Sequence, residues 1–181
     1  THLRGLTASQ LNGLDTAQLN AIDVTNLSTL QVSGLSSTAV SNLDTTQARA
    51  FTTSQVAALS ATALGAISST DLQAWDTTQL AAITSRQLGG LTTTAIANFS
   101  DTQLGGLTTT QVQGLSTTQL NNLDTTQLNA LNVDDLSVLQ VKGMTTTTLD
   151  ALSTTQAQSL TTAQISALAA TGIDALSSDE V

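Results

Sequence analysis

The chain has no cysteine and no proline among its 181 residues, and its only aromatics are one Trp and two Phe. Without cysteine there are no disulfides, and sulfur-ligated metal centres are closed. That absence assigns no compartment, since it fits a reducing cytoplasm and the cysteine-poor surface proteins of bacteria equally well. Basic residues are as scarce: Arg4, Arg49, Arg86 and Lys142 stand singly against 13 acids, giving a net charge of −9. Phosphate backbones are bound through basic stripes that release counterions, so nucleic acid is not an expected partner. Apolar runs end after a few residues, far short of the roughly 20 that span a bilayer, and no signal-peptide pattern is present. No membrane span is expected.

What the sequence does have is a period. Hydrophobic residues make up 40% of the chain, enough for a real core, and that core has to be aliphatic. Steps of eight from Leu35 meet Leu43, Phe51, Leu59, Ile67, Trp75, Ile83, Leu91, Phe99, Leu107, Leu115, Leu123, Leu131 and Leu139. The same step links Leu6, Leu14, Ile22 and Leu30 before that run, and Met144, Leu152, Leu160, Leu168 and Leu176 after it. Between Leu30 and Leu35, and again between Leu139 and Met144, the step shortens to five. The interruptions, 30–34 and 139–143, read LQVSG and LQVKG and lie 109 residues apart, so a super-repeat overlies the octads of a single array covering 1–181.

The octad consensus is L-[STD]-T-T-Q-[LVI]-x-[GAN]. Outside the interruptions its second position is Ser, Thr, Asp or Asn throughout, as in Thr7, Asp15, Ser36, Asp44, Ser60, Asp76, Thr108, Asn132 and Ser153, except at Ala169. These are the residues whose side-chain oxygen accepts from an unsatisfied amide at a helix start, worth about 1 kcal/mol each. Gln three residues on, as in Gln10, Gln47, Gln87 and Gln164, completes a capping box, and large apolar groups flank the cap at the spacing of a hydrophobic staple. Position eight, rich in Gly, Ala and Asn, suits a tight stop.

One long helix is excluded, because eight residues at about 100° each overshoot two turns by roughly 80° and the Leu column would wind round the axis. In a β-solenoid the first and sixth residues, five apart, would face opposite sides of a strand. The reading is therefore an all-α solenoid of very short capped helices, one per octad, with the β-solenoid as the alternative. Helices of one or two turns are unstable alone, so the octads must stack and bury their first and sixth residues against each other. Phe51, Trp75 and Phe99 recur at intervals of 24, which predicts three helices per coil.

Candidate chemistry is sparse. His2 is the only histidine and sits at the terminus, no G-x-S-x-G elbow occurs, and nothing else could serve a serine as base. Asp15, Asp23, Asp44, Asp76 and Asp124 fall in the cap column, while Asp134–Asp135 and Asp179–Glu180 match no calcium loop. Glycines such as Gly89, Gly90, Gly105 and Gly106 follow helices and form no phosphate loop. No catalytic, cofactor-binding or metal residue is expected, and no enzyme.

The motif L-T-x-x-Q, as in Leu6-Thr7-Ala8-Ser9-Gln10 and Leu160-Thr161-Thr162-Ala163-Gln164, resembles the helix starts of small periplasmic chaperones of the Spy and CpxP type. Over essentially its whole length, the chain resembles the Thr-rich tandem-repeat regions of long secreted bacterial surface proteins, described as adhesin-like. That second resemblance implies an extracellular or cell-surface address. Thr1 to Gly5 aligns with Thr110 to Gly114, and Val181 falls at a sixth position. The expectation is a segment of a longer array, or one that stacks end to end on itself, serving as rod, stalk or filament. The alternative is a binding module whose Thr-Thr pairs, such as Thr45–Thr46, Thr77–Thr78, Thr117–Thr118 and Thr125–Thr126, recognise carbohydrate, mineral or ice.

Overall fold

The computed structural model describes residues 3–176. Among them are 20 α-helices of four to six residues, three single 3-10 turns and no strand. The fold is an all-α solenoid of short helices, and the β-solenoid is set aside. His2, Asp179, Glu180 and Val181 lie outside the described residues. The chain divides into two compact units, Thr1–Phe99 and Ser100–Val181.

Each octad starts its helix as its second residue dictates. The cap has extended φ and ψ and its side chain accepts from the amide three residues on, for example Thr84 from Gln87 and Ser116 from Gln119. Ala169, which has no such oxygen, still precedes the helix Ala170–Ala175, without a side-chain cap bond. At that start the amides of Gly172 and Ile173 still bond the Ala169 carbonyl, and Gly172 lies against Leu149 and Leu168. No described residue has a positive φ, so the glycines at helix ends do not serve as left-handed stops. They serve as points of close approach. A Cβ on Gly143 would come within 2.5 Å of Thr117 Cγ2, and one on Gly90 within 2.9 Å of Ala61 Cβ.

Within each unit, helices stack on the third helix along. Thr29–Ser33 packs on Thr53–Ala58, and Ser37–Ser41 on Ala61–Leu64, in the first unit. In the second, Val138–Lys142 packs on Thr162–Ala167 and Thr146–Asp150 on Ala170–Ala175. Three helices per coil is thus the geometry, as the aromatic interval predicts. Phe51, Trp75 and Phe99 are 1%, 4% and 2% exposed and occupy the same position of successive coils. The Trp75 indole N–H donates to the Ala48 carbonyl at 2.9 Å, so its one polar group is satisfied in the core. Ala48 stands where most octads carry Leu, Val or Ile, which leaves room for the indole.

The register near the interruptions differs from the sequence reading. Leu30 and Leu139 are not core positions: they are 80% and 76% exposed. The buried column passes instead through Leu27 and Leu136, at 7% and 4%. Helices begin after Ser28 and Ser137 with complete capping boxes, so 27–34 and 136–143 are full octads. The short units are 22–26 and 131–135, each holding a single 3-10 turn, Val24–Asn26 and Val133–Asp135. The reason is that Leu30 and Leu139 continue the period of eight only numerically. Capping chemistry chooses the register, and Ser28 with Gln31, like Ser137 with Gln140, makes a cap that a start at Leu30 or Leu139 cannot. In the short units Val24 and Val133, 2% and 1% exposed, take the place of the buried sixth residue.

Candidate functional site

The residues that carry the repeat's chemistry are the glutamines. The sequence identifies them as partners in a capping box, and that is half of what they do. Gln87 is 6% exposed. Its Oε1 accepts from the Thr84 amide at 2.7 Å and the Thr84 hydroxyl at 2.8 Å. Its Nε2 donates to the carbonyls of Val56 and Leu59, at 2.7 and 2.8 Å, in the coil before. Gln55 reaches Val24 and Leu27 in the same way, Gln140 reaches Val112 and Leu115, and Gln164 reaches Val133 and Leu136. Those carbonyls lie at the end of a short helix, where the first of each pair also accepts the amide of the Leu three residues on, as Val56 does from Leu59. One amide side chain therefore closes the start of its own helix and the end of a helix in the preceding coil. The signal in the sequence is that Gln, which has donors and acceptors, fills this position in most octads, while the chain's single Glu at it, Glu180, lies outside the described residues.

Where the position holds another residue, the arrangement changes. Asp71 is 8% exposed, takes the Ser68 hydroxyl at 2.6 Å on Oδ2, and has its Oδ1 3.9 Å from Arg49 Nε with no hydrogen bond. Near the two short units, asparagines supplement the ladder. Asn12 donates to the Gly34 carbonyl at 2.8 Å and accepts the Ser36 amide at 2.8 Å. Asn121 repeats both bonds, to Gly143 and from Thr145, each at 3.0 Å. Asn20 accepts from Asp44, and Asn129 from Ser153 while donating to Ala151. The four form two pairs 109 residues apart, so the super-repeat has a structural meaning: it returns a three-residue-shorter coil together with its Asn clamps.

Asp15, Asp23, Asp44, Asp76 and Asp124 are placed as caps, as the sequence indicates. Asp76 Oδ1 takes the amides of Thr78 and Gln79 and the Thr78 hydroxyl, and the hydroxyl bond above all holds its carboxyl below the ordinary value. Asp134 is exposed, and Asp135 accepts the Thr109 hydroxyl at 2.6 Å. Among the described residues no three acids or other ligating side chains gather as a metal would need, and no helix is long and apolar enough to cross a membrane. One core void, lined by Leu11, Leu19, Val24 and Leu35 among others, has about 10 Å³, too little for a ligand.

The open surface concavities lie along coil edges. At the first short unit a groove of about 440 Å³ is lined by Asn20, Ile22, Asp23, Asp44, Thr46 and Gln47, with three small apolar neighbours. Gln47 is the irregular member of the ladder. Its Nε2 donates to Leu19 and Ile22, at 2.8 and 2.6 Å, but Asn20 has taken the Asp44 amide. The buried Oε1 of Gln47 is left without a partner. Of the Thr pairs, Thr45–Thr46, Thr77–Thr78 and Thr125–Thr126 are exposed, whereas Thr117 is half-buried and lies close to Gly143.

Residues 81–117 match the family model of the ALTTAQ repeat. That segment contains the octads starting at Ile83, Leu91, Phe99 and Leu107, and it supports the chain's identity as a repeat region. No curated protein matches the chain.

Proposed function

We propose that the chain is a structural segment of an extracellular or cell-surface protein, an element that works by extent and stacking and not by catalysis, as a rod, stalk or self-assembling filament. The observation that carries this reading is the glutamine ladder. Buried polar side chains of the repeat join one coil to the next, and the contact is the same at successive steps: amide donors of one coil meet carbonyls of the coil before. A head-to-tail contact of this kind does not close on itself, so it extends as far as the repeats do. The extracellular address is supported by the likeness to Thr-rich surface-protein repeats.

Small-angle scattering on the chain, and on one lengthened by a further 109-residue unit, tests the reading. The maximum dimension is expected to grow in proportion to the added coils. A globule whose dimension scales weakly with length would overturn the rod. Protease shaving of intact cells carrying the parent protein tests the address: protection of the segment until lysis would exclude a surface location.

The outward Thr pairs favour a second reading, a surface that adsorbs carbohydrate, mineral or ice. Replacing Thr45, Thr77 and Thr125 with Lys should abolish such adsorption and leave the helical spectrum unchanged. Undiminished adsorption would discard it.

A further inference from the structure

The two super-repeats differ where the first has its groove, and the differences are of opposite sign. At 109 residues' distance Asp23 is answered by Asn132 and Asp44 by Ser153, so the second copy of this region has lost both carboxylates. Ser33 is answered by Lys142, one of four basic residues in the chain. Lys142 is exposed and shares its helix, Val138–Lys142, with exposed Val138 and Leu139. The spacings of four and three residues bring all three to one helix face. This face presents an apolar pair beside a cation on a flexible methylene stem.

The groove of the first unit has the matching features. Its apolar floor includes Ile22, its rim carries Asp23 and Asp44, and Gln47 lines it with a buried carbonyl oxygen that lacks a donor. Gln47 is 7% exposed, so that orphaned acceptor is an uncompensated cost of the isolated chain. In the second super-repeat the corresponding Gln156 Oε1 accepts from the Ser153 amide, and no acceptor is left over. An ammonium group has three donors and no acceptor and carries the charge opposite to the two carboxylates of this rim, beside an amide oxygen without a donor.

The geometry points to a heterologous contact between two copies of this chain, in which the Val138–Leu139–Lys142 face of one enters the Asn20–Asp23–Asp44–Gln47 groove of another. The inference deepens the self-assembly reading above and rests on it: it names surfaces through which copies join. Each chain carries one groove and one complementary face, so the contact leaves a free groove at one end of a pair and a free face at the other, and it propagates. Charge complementarity selects the partner, since among the described residues Lys142 is the basic residue that shares its helix with exposed large apolar side chains.

Sedimentation velocity across a concentration series tests this with substitutions that, Leu139→Thr at an exposed position apart, are taken from the other super-repeat, whose side chains the same local fold already accommodates. Wild type is expected to form open-ended oligomers that weaken as salt rises. D23N/D44S removes the groove's charge, K142S removes the cation, and L139T the apolar anchor. Each is expected to lower the association constant by about tenfold or more. Mixing the D23N/D44S chain with the K142S/L139T chain leaves one groove and one face between them, and is expected to give dimers that do not grow. Oligomers of K142S/L139T as stable as those of wild type would overturn the contact and leave self-assembly standing through other surfaces. A wild-type chain that stays monomeric throughout the series would overturn both the contact and self-assembly, leaving the rod to the scattering test.

Discussion

A coil of three octads and a coil that contains a short unit solve the same problem with different residues. In the regular coil around Gln87, the Thr84 amide is satisfied within its own octad, and the glutamine's other end reaches back 28 and 31 residues to Leu59 and Val56. In the shortened coil around Gln140, the reach falls to 25 and 28 residues, to Leu115 and Val112, and Asn121 adds three bonds of its own to the following coil. Three residues fewer change the spacing between coils without breaking the ladder. The comparison teaches that stability resides in the junctions, which keep their hydrogen-bond inventory while the helices shrink to a 3-10 turn. Short helices are unfavourable by themselves, so the junction and the buried apolar column must supply what helix length does not.

The largest effect should come from the column. Leu136→Ala removes a 4% exposed side chain and is expected to cost about 2–5 kcal/mol, whereas Leu139→Ser, three residues on, should fall within about 0.5 kcal/mol of wild type. Urea unfolding of the two variants decides between the register set by the caps and the register of the uninterrupted period of eight. Equal losses would contradict the capped register.

Next in size is the ladder. Gln87→Glu keeps the shape but points a carboxylate at the Val56 and Leu59 carbonyls, which lose the bonds from Nε2. The expected loss is roughly 3 kcal/mol at neutral pH. Two facing carbonyl oxygens disfavour the ionised form, so the folded state should raise the pKa of the new glutamate. Stability is then retained below the unfolded value of about 4.3 and lost as pH rises through the folded one. A variant equally unstable at pH 4 and pH 7 would show that the donors to Val56 and Leu59 contribute little. Smaller again is Asn121→Ala, which removes bonds to Gly143 and from Thr145 and Thr148, for an expected loss of about 1–2 kcal/mol. The clamp belongs to the shortened coil. The same substitution at Asn98, in the other coil type, should cost about half a kcal/mol or less.

How much of this could be read in advance follows from the range of each interaction. The caps, the boxes and the helical octad depend on residues three or four apart, and Ser116 with Gln119 declares itself in the sequence. The coil of three was legible because Phe51, Trp75 and Phe99 mark one column. Periodicity misled at Leu30 and Leu139, where a Leu fell on the expected number while Ser28 and Ser137 carried the physical start. The second half of each glutamine's work was illegible for a different reason: its acceptors are main-chain carbonyls, which every residue has, so Val56 and Leu59 leave no mark as partners of Gln87. The groove is hidden likewise, since Asp23, Asp44 and Gln47 look like ordinary caps until the fold brings them to one edge.

The finest distinction lies between two aspartates that begin in the same way. Asp23 and Asp76 each accept the amide and hydroxyl of the Thr two residues on, with hydroxyl bonds of 2.6 Å in both. Only Asp76 also takes the next amide, from Gln79, and only there does an α-helix follow, whereas Asp23 opens a single 3-10 turn. The Thr78 hydroxyl is the first cause of Asp76's lowered pKa, ahead of the Gln79 amide. Because the folded value lies below the unfolded one, this cap adds stability above the unfolded pKa and loses it as pH falls through the folded value. Thr78→Val should move the Asp76 titration, followed by carboxyl carbon NMR, up toward the ordinary aspartate value while the Gln79 bond keeps the helix started. If the titration stays where it is, the third donor and not the hydroxyl holds the charge, and the feature that separates the two caps would also be the one that sets the proton affinity.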